Sequence, residues 1–466
     1  MSDIKETLFL ASPHAVRTAA FNVYAFYLRW LREGRELAEC LEVLDRLDRA
    51  DRASVDAFQL TRINDLLKWA RTRVPYVAEE AETERKLPER IESLSDLATL
   101  PSCSKPSVRA AGTAMFARGI RLYPGRTSGS TGSPLQLRYD RRQRVWSRAA
   151  EKLVRLRAGL RLDERVAVIW GRRLAPRART RPPFWMVNLP DRELWLSAFH
   201  LSPATAQQYL ERISEFGAVA LETYPTVAYV LALQARRLNL PVRLRRVLTT
   251  TETLFPFQRD IIQETFQAEV FDYYGCAERV AFAMECGKHD GLHLVEGFGY
   301  VEPDRGQAGD APKGIVATGL TNRGMPLFRY LIADDTHVID APCACGLTSR
   351  RLAPVRSKCE DMLVTPEGRF VSPAILTHPF KPLKGVIRSQ IVQETISSVI
   401  VRLEANEAFD AEQERSLLAA LRERMGDSVS ITLKREERIE HEASGKFRWV
   451  ICRVRGDHQV GEKALR

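Results

Sequence analysis

Long apolar runs are missing from this sequence. The uncharged, partly aromatic stretch at residues 18–28, between Arg17 and Arg29, is far shorter than the roughly 20 residues needed to cross a bilayer. A transmembrane segment is therefore not expected. No n-region, h-region and cleavage site occur in order, so the expected location is cytoplasmic. Cysteine is sparse: eight residues at irregular spacing in a chain of 466. That argues against a disulfide framework and leaves thiols or a metal site. Concentrated basic blocks are also lacking. The formal charge is +11, but its 70 Lys and Arg are scattered among 59 Asp and Glu. The densest basic stretch, residues 172–181, contains prolines and reads as a surface loop. Such a diffuse excess suits solubility and attraction of anionic substrates, and no nucleic-acid partner is expected. Neither a G-x-x-x-x-G-K-[ST] loop nor a G-x-G-x-x-G turn between strand and helix is present.

What is present is ordinary for a soluble globular protein: 45% apolar and 28% charged residues. The length suggests two or three domains. Residues 15–80 read as mostly helical, with Leu37, Leu41 and Leu44 on one stripe; that stripe leaves a homodimer open. A buried strand is expected at 166–170. Helix-like segments at 204–216, 226–238 and 257–266 then alternate with strands at 218–221, 246–250 and 269–273, the pattern of an α/β sheet with crossovers. From about residue 361 the texture changes to a small α+β module. It has a hairpin at 362–371 around Pro366-Glu367-Gly368, an apolar run at 399–403, a helix at 411–425, and strands at 428–434 and 447–454. The expected fold is a large α/β N-terminal domain, 1–358, with β-sheets flanked by helices, and a small C-terminal α+β domain, 361–466.

Five segments carry chemistry. Thr127-Ser128-Gly129-Ser130-Thr131-Gly132-Ser133-Pro134 lies between strands expected at 120–123 and 135–139. It is either a solvated turn or a concave array of N–H and hydroxyl donors that cradles an anion. Asp272-Tyr273-Tyr274-Gly275 and Glu278 follow a strand, where open α/β sheets bind ligands; Glu278 suits Mg²⁺ on a phosphate or is a loop carboxylate. Asp334 and Asp335 close an apolar strand and suit a vicinal diol or a turn. Lys358 and Glu360 sit at the change of texture, as hinge or plain linker. Lys446, after Ser444-Gly445, could carry its ammonium to developing negative charge, or simply be solvated.

In order and spacing these segments resemble the adenylate-forming superfamily, and within it the phenylacetate–CoA ligase-like branch, over roughly residues 60–455. Residues 127–134 are similar to its TSGSTGxP loop and residues 272–278 to D-x-Y-G-x-[ST]-E. Glu222-Thr223-Tyr224-Pro225 is similar to GYPS, and Thr250-Thr251-Glu252-Thr253-Leu254 to SGExL. Residues 325–334 are similar to MPLIRYRTGD, 358–362 to R-x-D-D-M and 444–446 to SGK. The resemblance implies a two-step ligase. A carboxylic acid, aromatic or bulky, reacts with MgATP to an acyl-adenylate, and coenzyme A then takes the acyl group. An amine or hydroxyl acceptor, as in polysaccharide or secondary-metabolite biosynthesis, is the alternative, and a catalytically silent relative is the third reading.

Carried over residue by residue, the implied ATP-binding set comprises residues 127–132, Thr251, Glu252, Asp272, Tyr273, Tyr274, Gly275, Asp334 and Lys358. Tyr274 would stack on adenine and Asp334 would bind the ribose. Glu278 would hold Mg²⁺, Lys446 would bridge carboxylate and α-phosphate, and Glu360 would be the hinge of a mobile C-terminal domain. Tyr224 and Pro225 would line the acid pocket. Departures are specific: Ser133 where lysine is frequent, Ala277 for a hydroxyl residue, Leu331, Ile332 and Ala333 for Arg-Thr-Gly, and Lys358 for arginine, which keeps the charge but loses the planar fork. Cys286, His293, Cys343 and Cys345 combine Cys-x6-His with Cys-x-Cys and are either the N/S ligand set of a structural zinc site or four unrelated buried residues, with His289 competing for the place of His293.

Overall fold

The computed structural model describes residues 8–82, 88–127, 135–176, 179–304, 314–332, 334–355, 362–439 and 449–454. The chain is mixed α/β. Short, apolar, branched segments such as Val166–Trp170 and Arg246–Thr250 are buried along nearly their whole length, the composition of strands covered on both faces. They join a ten-stranded sheet. Its centre is parallel, in the order Glu269–Gly275, Arg246–Thr250, Ala220–Thr223, Val166–Trp170, Glu193–Ser197. Trp185–Asn188 and Phe282–Glu285 extend it antiparallel on either side.

The crossover helices have local start and stop signals. Pro225–Arg237 and Pro256–Phe266 carry proline in the first turn, where an N–H has no helical acceptor. Ala206–Phe216 ends at Gly217, left-handed with φ +68. Arg141–Arg157 is capped by Asp140, whose carboxylate accepts from the Gln143 N–H at 2.9 Å. These helices place the segments expected to carry chemistry at one end of the sheet.

The N-terminal helices His14–Arg32, Arg35–Leu47 and Arg52–Arg73 pack on this body. The Leu37/Leu41/Leu44 stripe is spent inside the chain. Leu37 and Leu44 are buried against Val145, Trp146 and Ala149 of Arg141–Arg157, with Leu41 partly covered beside them. The stripe thus gives no support to a homodimer. The periodicity marked an apolar face correctly, and its partner is an internal helix.

At the C-terminal side a four-stranded sheet has the order Ser430–Arg435, Ser398–Ala405, Val386–Thr395, Val450–Cys452, with the helix Ala411–Met425 following its second strand in sequence. The hairpin Leu363–Val364/Phe370–Val371 turns through Gly368 at φ +73, as expected. Trp449 is buried, its indole N–H donating to Ser389 Oγ at 2.9 Å. This unit leans on the large sheet: Ile375 lies against Gly171, and Arg126 Nη1 donates to the Lys381 carbonyl at 3.0 Å.

Candidate functional site

Four parallel strands end side by side, and in three of them motif residues follow directly. Gly171 follows Val166–Trp170, Tyr224 and Pro225 follow Ala220–Thr223, Thr251 and Glu252 follow Arg246–Thr250, and Glu278 lies just beyond Glu269–Gly275. This is the edge at which open α/β sheets receive ligands.

The hairpin Tyr123–Arg126/Gln136–Tyr139 stands beside that edge. Proline and glycine in its first strand look like turn residues, which explains why the strand begins three residues later than its sequence suggested. A two-stranded ribbon tolerates both. The Tyr139 ring lies over Gly125, where a Cβ would approach it to 2.2 Å, so only glycine fits. From there Tyr139 donates its hydroxyl hydrogen to the Ala277 carbonyl at 2.6 Å. Burial pushes this phenol up to about 12, keeping it a neutral donor. Thr127 closes the hairpin: its N–H donates to the Leu135 carbonyl at 3.1 Å and its hydroxyl accepts from the Leu135 N–H at 2.8 Å. The mouth of the loop is thus pinned next to the Asp272–Glu278 segment. Ser128, Gly129, Ser130, Thr131 and Gly132 lie outside the described residues, as do Lys358, Glu360 and Lys446.

Tyr274, Glu278 and Asp334 converge. Tyr274 donates to Asp334 Oδ2 at 2.7 Å, and Tyr330 donates to Glu278 Oε1 at 2.8 Å. Burial, reinforced by Asp334 and Glu278 respectively, pushes both phenols upward, so both remain donors. Lys105, which sequence reasoning missed, lies within electrostatic reach of Glu278 and Asp334. Burial pulls its ammonium pKa down, while Glu278 and Asp334 push back. Its position depends on a bridge between Cys103 and Tyr330, in which the Cys103 N–H donates to the Arg329 carbonyl and the Leu331 N–H to the Cys103 carbonyl, both at 2.9 Å. Nothing local in Ser104-Lys105-Pro106 announces that pairing.

Other motif residues are engaged elsewhere. Tyr273 faces the opposite side of its strand, its ring against Phe282 and its hydroxyl on Glu222 at 3.0 Å. Asp272 accepts from the Thr249 hydroxyl at 2.7 Å, and burial beside Glu285 pushes its carboxyl up to about 8. Glu252 sits at the N-terminus of Pro225–Arg237, accepting from the Thr226 hydroxyl at 2.6 Å and N–H at 3.2 Å, where the helix dipole favours a carboxylate. Thr251 has φ +78, a genuine outlier for a β-branched residue. Tyr224 is buried, edge-on to Trp170 at 5.0 Å, and its hydroxyl accepts from the Gly171 N–H at 3.4 Å; Pro225 opens the following helix.

Cys286, His293, Cys343 and Cys345 come together, all four ligand atoms lying within 4.8 Å of one another. Cys286 and Cys343 sulfurs are 3.8 Å apart, which matches the roughly 3.8 Å edge of a tetrahedron with 2.3 Å metal–sulfur bonds. Cys345 Sγ lies 3.3 Å from His293 Nε2. The other ring nitrogen of His293 faces the Ser349 carbonyl at 3.2 Å and its Oγ at 3.0 Å, the outer hydrogen bonds that orient a ligating imidazole. His289 is not part of this group: its ring contacts Glu285 at 3.0 Å and Glu269 at 3.2 Å. The set suits a soft, closed, four-coordinate ion such as Zn²⁺.

Comparison with known proteins gives a consistent picture. Residues 363–453 match the family model for the CapK C-terminal domain. Over 292 residues the chain is 24% identical to Protein CapK of Staphylococcus aureus, covering 62% of this chain and 64% of that relative, just under two thirds of its length. It is also 24% identical, over 418 residues, to a phenylacetate-coenzyme A ligase of Thermus thermophilus, covering 81% of this chain and 91% of the relative. Among solved structures, 2-hydroxyisobutyryl-CoA ligase in complex with 2-HIB-AMP and CoA superposes with a TM-score of 0.56 at 20% identity, over 88% of this chain and 92% of that one. The same ligase in the postadenylation state gives 0.55, over 88% and 91%. At this identity the structural likeness carries the fold. Among the described residues no helix is long and apolar enough to cross a membrane.

Proposed function

Because the chain has the fold of the adenylate-forming superfamily and resembles its phenylacetate–CoA ligase-like branch, we propose that it activates a carboxylic acid with MgATP and passes the acyl group to coenzyme A. The observation that carries this reading is the convergence of Tyr274, Asp334 and Glu278, through Tyr274–Asp334 and Tyr330–Glu278 hydrogen bonds, beside the pinned mouth of the 127–135 loop.

In the first step a carboxylate oxygen of the acid attacks the α-phosphorus of ATP. The bond from that phosphorus to the bridging oxygen breaks, and pyrophosphate leaves with the electron pair. Little covalent work falls to the protein in such a transfer, so positioning and charge stabilisation dominate. Tyr274 supplies a flat face for the adenine and Asp334 acceptors for the ribose hydroxyls. The loop at 127–132 supplies N–H and hydroxyl donors for the β- and γ-phosphates. Glu278 is the hard oxygen ligand that suits Mg²⁺, which supplies neutralisation of phosphate charge when bound. Lys105, beside Glu278 and Asp334, adds a cation on the large domain, and Lys446 brings a second from the C-terminal unit. In the second step the thiol sulfur, its proton lost, attacks the acyl carbon and AMP departs.

Rotation of residues 361–466 about Glu360 between the steps is part of this reading, supported by the match of 363–453 to a separately defined C-terminal domain. The four-residue Cys/His cluster is proposed as a structural zinc site, supported by its tetrahedral spacing and the Ser349 anchor on His293. Thr251, Glu252, Asp272, Tyr273, Gly275 and Lys358 frame the nucleotide, while Tyr224 and Pro225 border the acid.

A hydroxyl or amine acceptor is the second reading, left open by the 24% identity to the phenylacetate-coenzyme A ligase of Thermus thermophilus. Release of AMP from ATP, followed over a panel of aryl, fatty and sugar acids with and without coenzyme A, distinguishes the two. An acid-dependent thioester supports the first. AMP release that ignores coenzyme A but responds to an amine or alcohol supports the second, and no acid-dependent AMP release sinks both.

A further inference from the structure

The helix His14–Arg32 turns its apolar side outward. Its inner face is locked to the edge strand Trp185–Asn188. Asn22 donates to the Val187 carbonyl and accepts from the Leu189 N–H, both at 2.9 Å, and Phe21 meets Trp195 edge-on at 5.7 Å. The opposite face is exposed and consists of Val16, Val23, Tyr24, Phe26, Tyr27 and Trp30, with Val23 72% and Trp30 75% accessible. Val16, Val23, Tyr27 and Trp30 follow i, i+7, i+11, i+14 spacing, which puts them on one stripe. The three aromatic rings form a strip, Tyr24 to Tyr27 at 6.3 Å and Tyr27 to Trp30 at 6.2 Å. A contiguous exposed apolar patch of this kind marks an interaction surface.

Charge identifies the partner. Residues 7–32 contain no Asp or Glu. Cations stand at both ends of the stripe. Arg29 and Arg32 lie in the last turn with Arg35 just beyond; at the first turn Arg17 is buried on the Leu10 and Ser12 carbonyls, and Arg179 of the adjacent loop supplies the cation at that end. Glu33, the first acid after the helix, is shared by Arg29 at 3.5 Å, Arg148 at 2.9 Å and Lys152 at 3.2 Å, and Arg35 pairs with Glu39 at 2.8 Å in an exposed contact that water screens. A second copy docked across a two-fold axis would set cation against cation, whether the helices ran parallel or antiparallel. An anionic bilayer surface satisfies both ends while taking up the aromatic strip at headgroup level.

We propose that this helix is an interfacial membrane anchor, lying flat on an anionic phospholipid surface with Val23, Tyr27 and Trp30 inserted and Arg29, Arg32, Arg35 and Arg179 toward the headgroups. The inference is independent of the ligase reading, because none of these residues belongs to the nucleotide site. Its test is flotation of the full chain with phosphatidylcholine vesicles, with and without phosphatidylglycerol, beside a Val23→Glu/Trp30→Glu variant. Trp30→Ala serves as a milder second variant, with thermal melts to confirm folding and light scattering to read oligomeric state. The expected result is salt-sensitive binding to the anionic vesicles that the double variant weakens on the order of tenfold or more, and Trp30→Ala by less. Absence of flotation, or flotation that neither variant alters, overturns the proposal. A dimer that the double variant dissociates, without vesicle binding, assigns the face to a second copy and overturns it as well.

Discussion

Tyr274 and Asp334, sixty residues apart in sequence, share a hydrogen bond of 2.7 Å from the phenol to Oδ2. That contact sets an aromatic face and a carboxylate side by side, the two surfaces that a nucleoside presents itself to: a base to stack and a diol to bind. Asp334→Asn keeps the size and an acceptor for Tyr274 but loses the charge. The expected outcome is a KM for ATP raised roughly ten- to a hundredfold, as for loss of a charged hydrogen bond, with a smaller change in kcat. Steady-state kinetics at varied ATP checks it, and an unchanged KM would refute the proposed role of Asp334.

The Cys286/His293/Cys343/Cys345 cluster predicts close to one zinc per chain in purified protein. Cys343→Ser removes one of four ligands. The expected result is loss of that zinc and a lower melting temperature, since metal binding to a folded site contributes directly to stability. Metal analysis beside thermal melts reads both, and strongly substoichiometric zinc in the wild-type protein would refute the assignment.

Thr251 occupies a left-handed conformation, φ +78, at the place where the resembling SGExL segment has glycine. Strain of this kind costs about 1–3 kcal/mol. Thr251→Gly is therefore expected to stabilise the protein by about 1 kcal/mol, part of the relief being offset by the extra freedom of glycine in the unfolded chain. Denaturant unfolding measures it, and a loss of stability would show that the side chain does more than strain its backbone.

The cluster around Asp272 predicts a falling stability as pH rises. Burial beside Glu285 holds the Asp272 carboxyl protonated up to about 8 in the fold, against 3.8 when free. Between those values the native state binds the extra proton, so stability drops as pH climbs. His289 acts in the same direction. Its hydrogen bond to Glu285 raises its pKa above 6.5, so its contribution is complete below that value and is lost as pH rises through the folded value. Melting temperatures at pH 5.5 and 8.5 should fall in that order, and Asp272→Asn, which keeps an acceptor for Thr249, should flatten the slope. An equal or steeper slope in the variant would contradict the account.

The placement of Tyr224, Glu252 and Glu278 was legible because each lies just past a strand of the parallel sheet. The parallel strands were legible too: Val166–Trp170 is a short apolar run and Arg246–Thr250 a short β-branched one, and both fall where expected. Val386–Thr395, the longest strand of the C-terminal sheet, was not anticipated. Its apolar residues come in pairs, Val386-Ile387 and Ile391-Val392, each followed by a polar triplet, and it carries register shifts at both ends, so no strand period of two stands out. Lys105 escaped because its place depends on a pairing with a strand far along the chain. The Leu37 stripe shows the same limit in another form: periodicity identifies a face to be covered but not what covers it. The aromatic face of His14–Arg32 is the converse, since a short run at 18–28 looked unremarkable until its inner side was seen to be occupied.

Adenylation itself is the central claim, and carboxylate-dependent incorporation of labelled pyrophosphate into ATP measures it without regard to the acceptor. The account predicts exchange with at least one acid of a broad aryl, fatty and sugar-acid panel. It also predicts that Glu278→Gln and Lys446→Ala each lower that exchange by about a hundredfold or more, the size of effect expected when a group that stabilises charge in the transition state is removed. No exchange with any acid, or exchange that both variants leave at the wild-type rate, would contradict it.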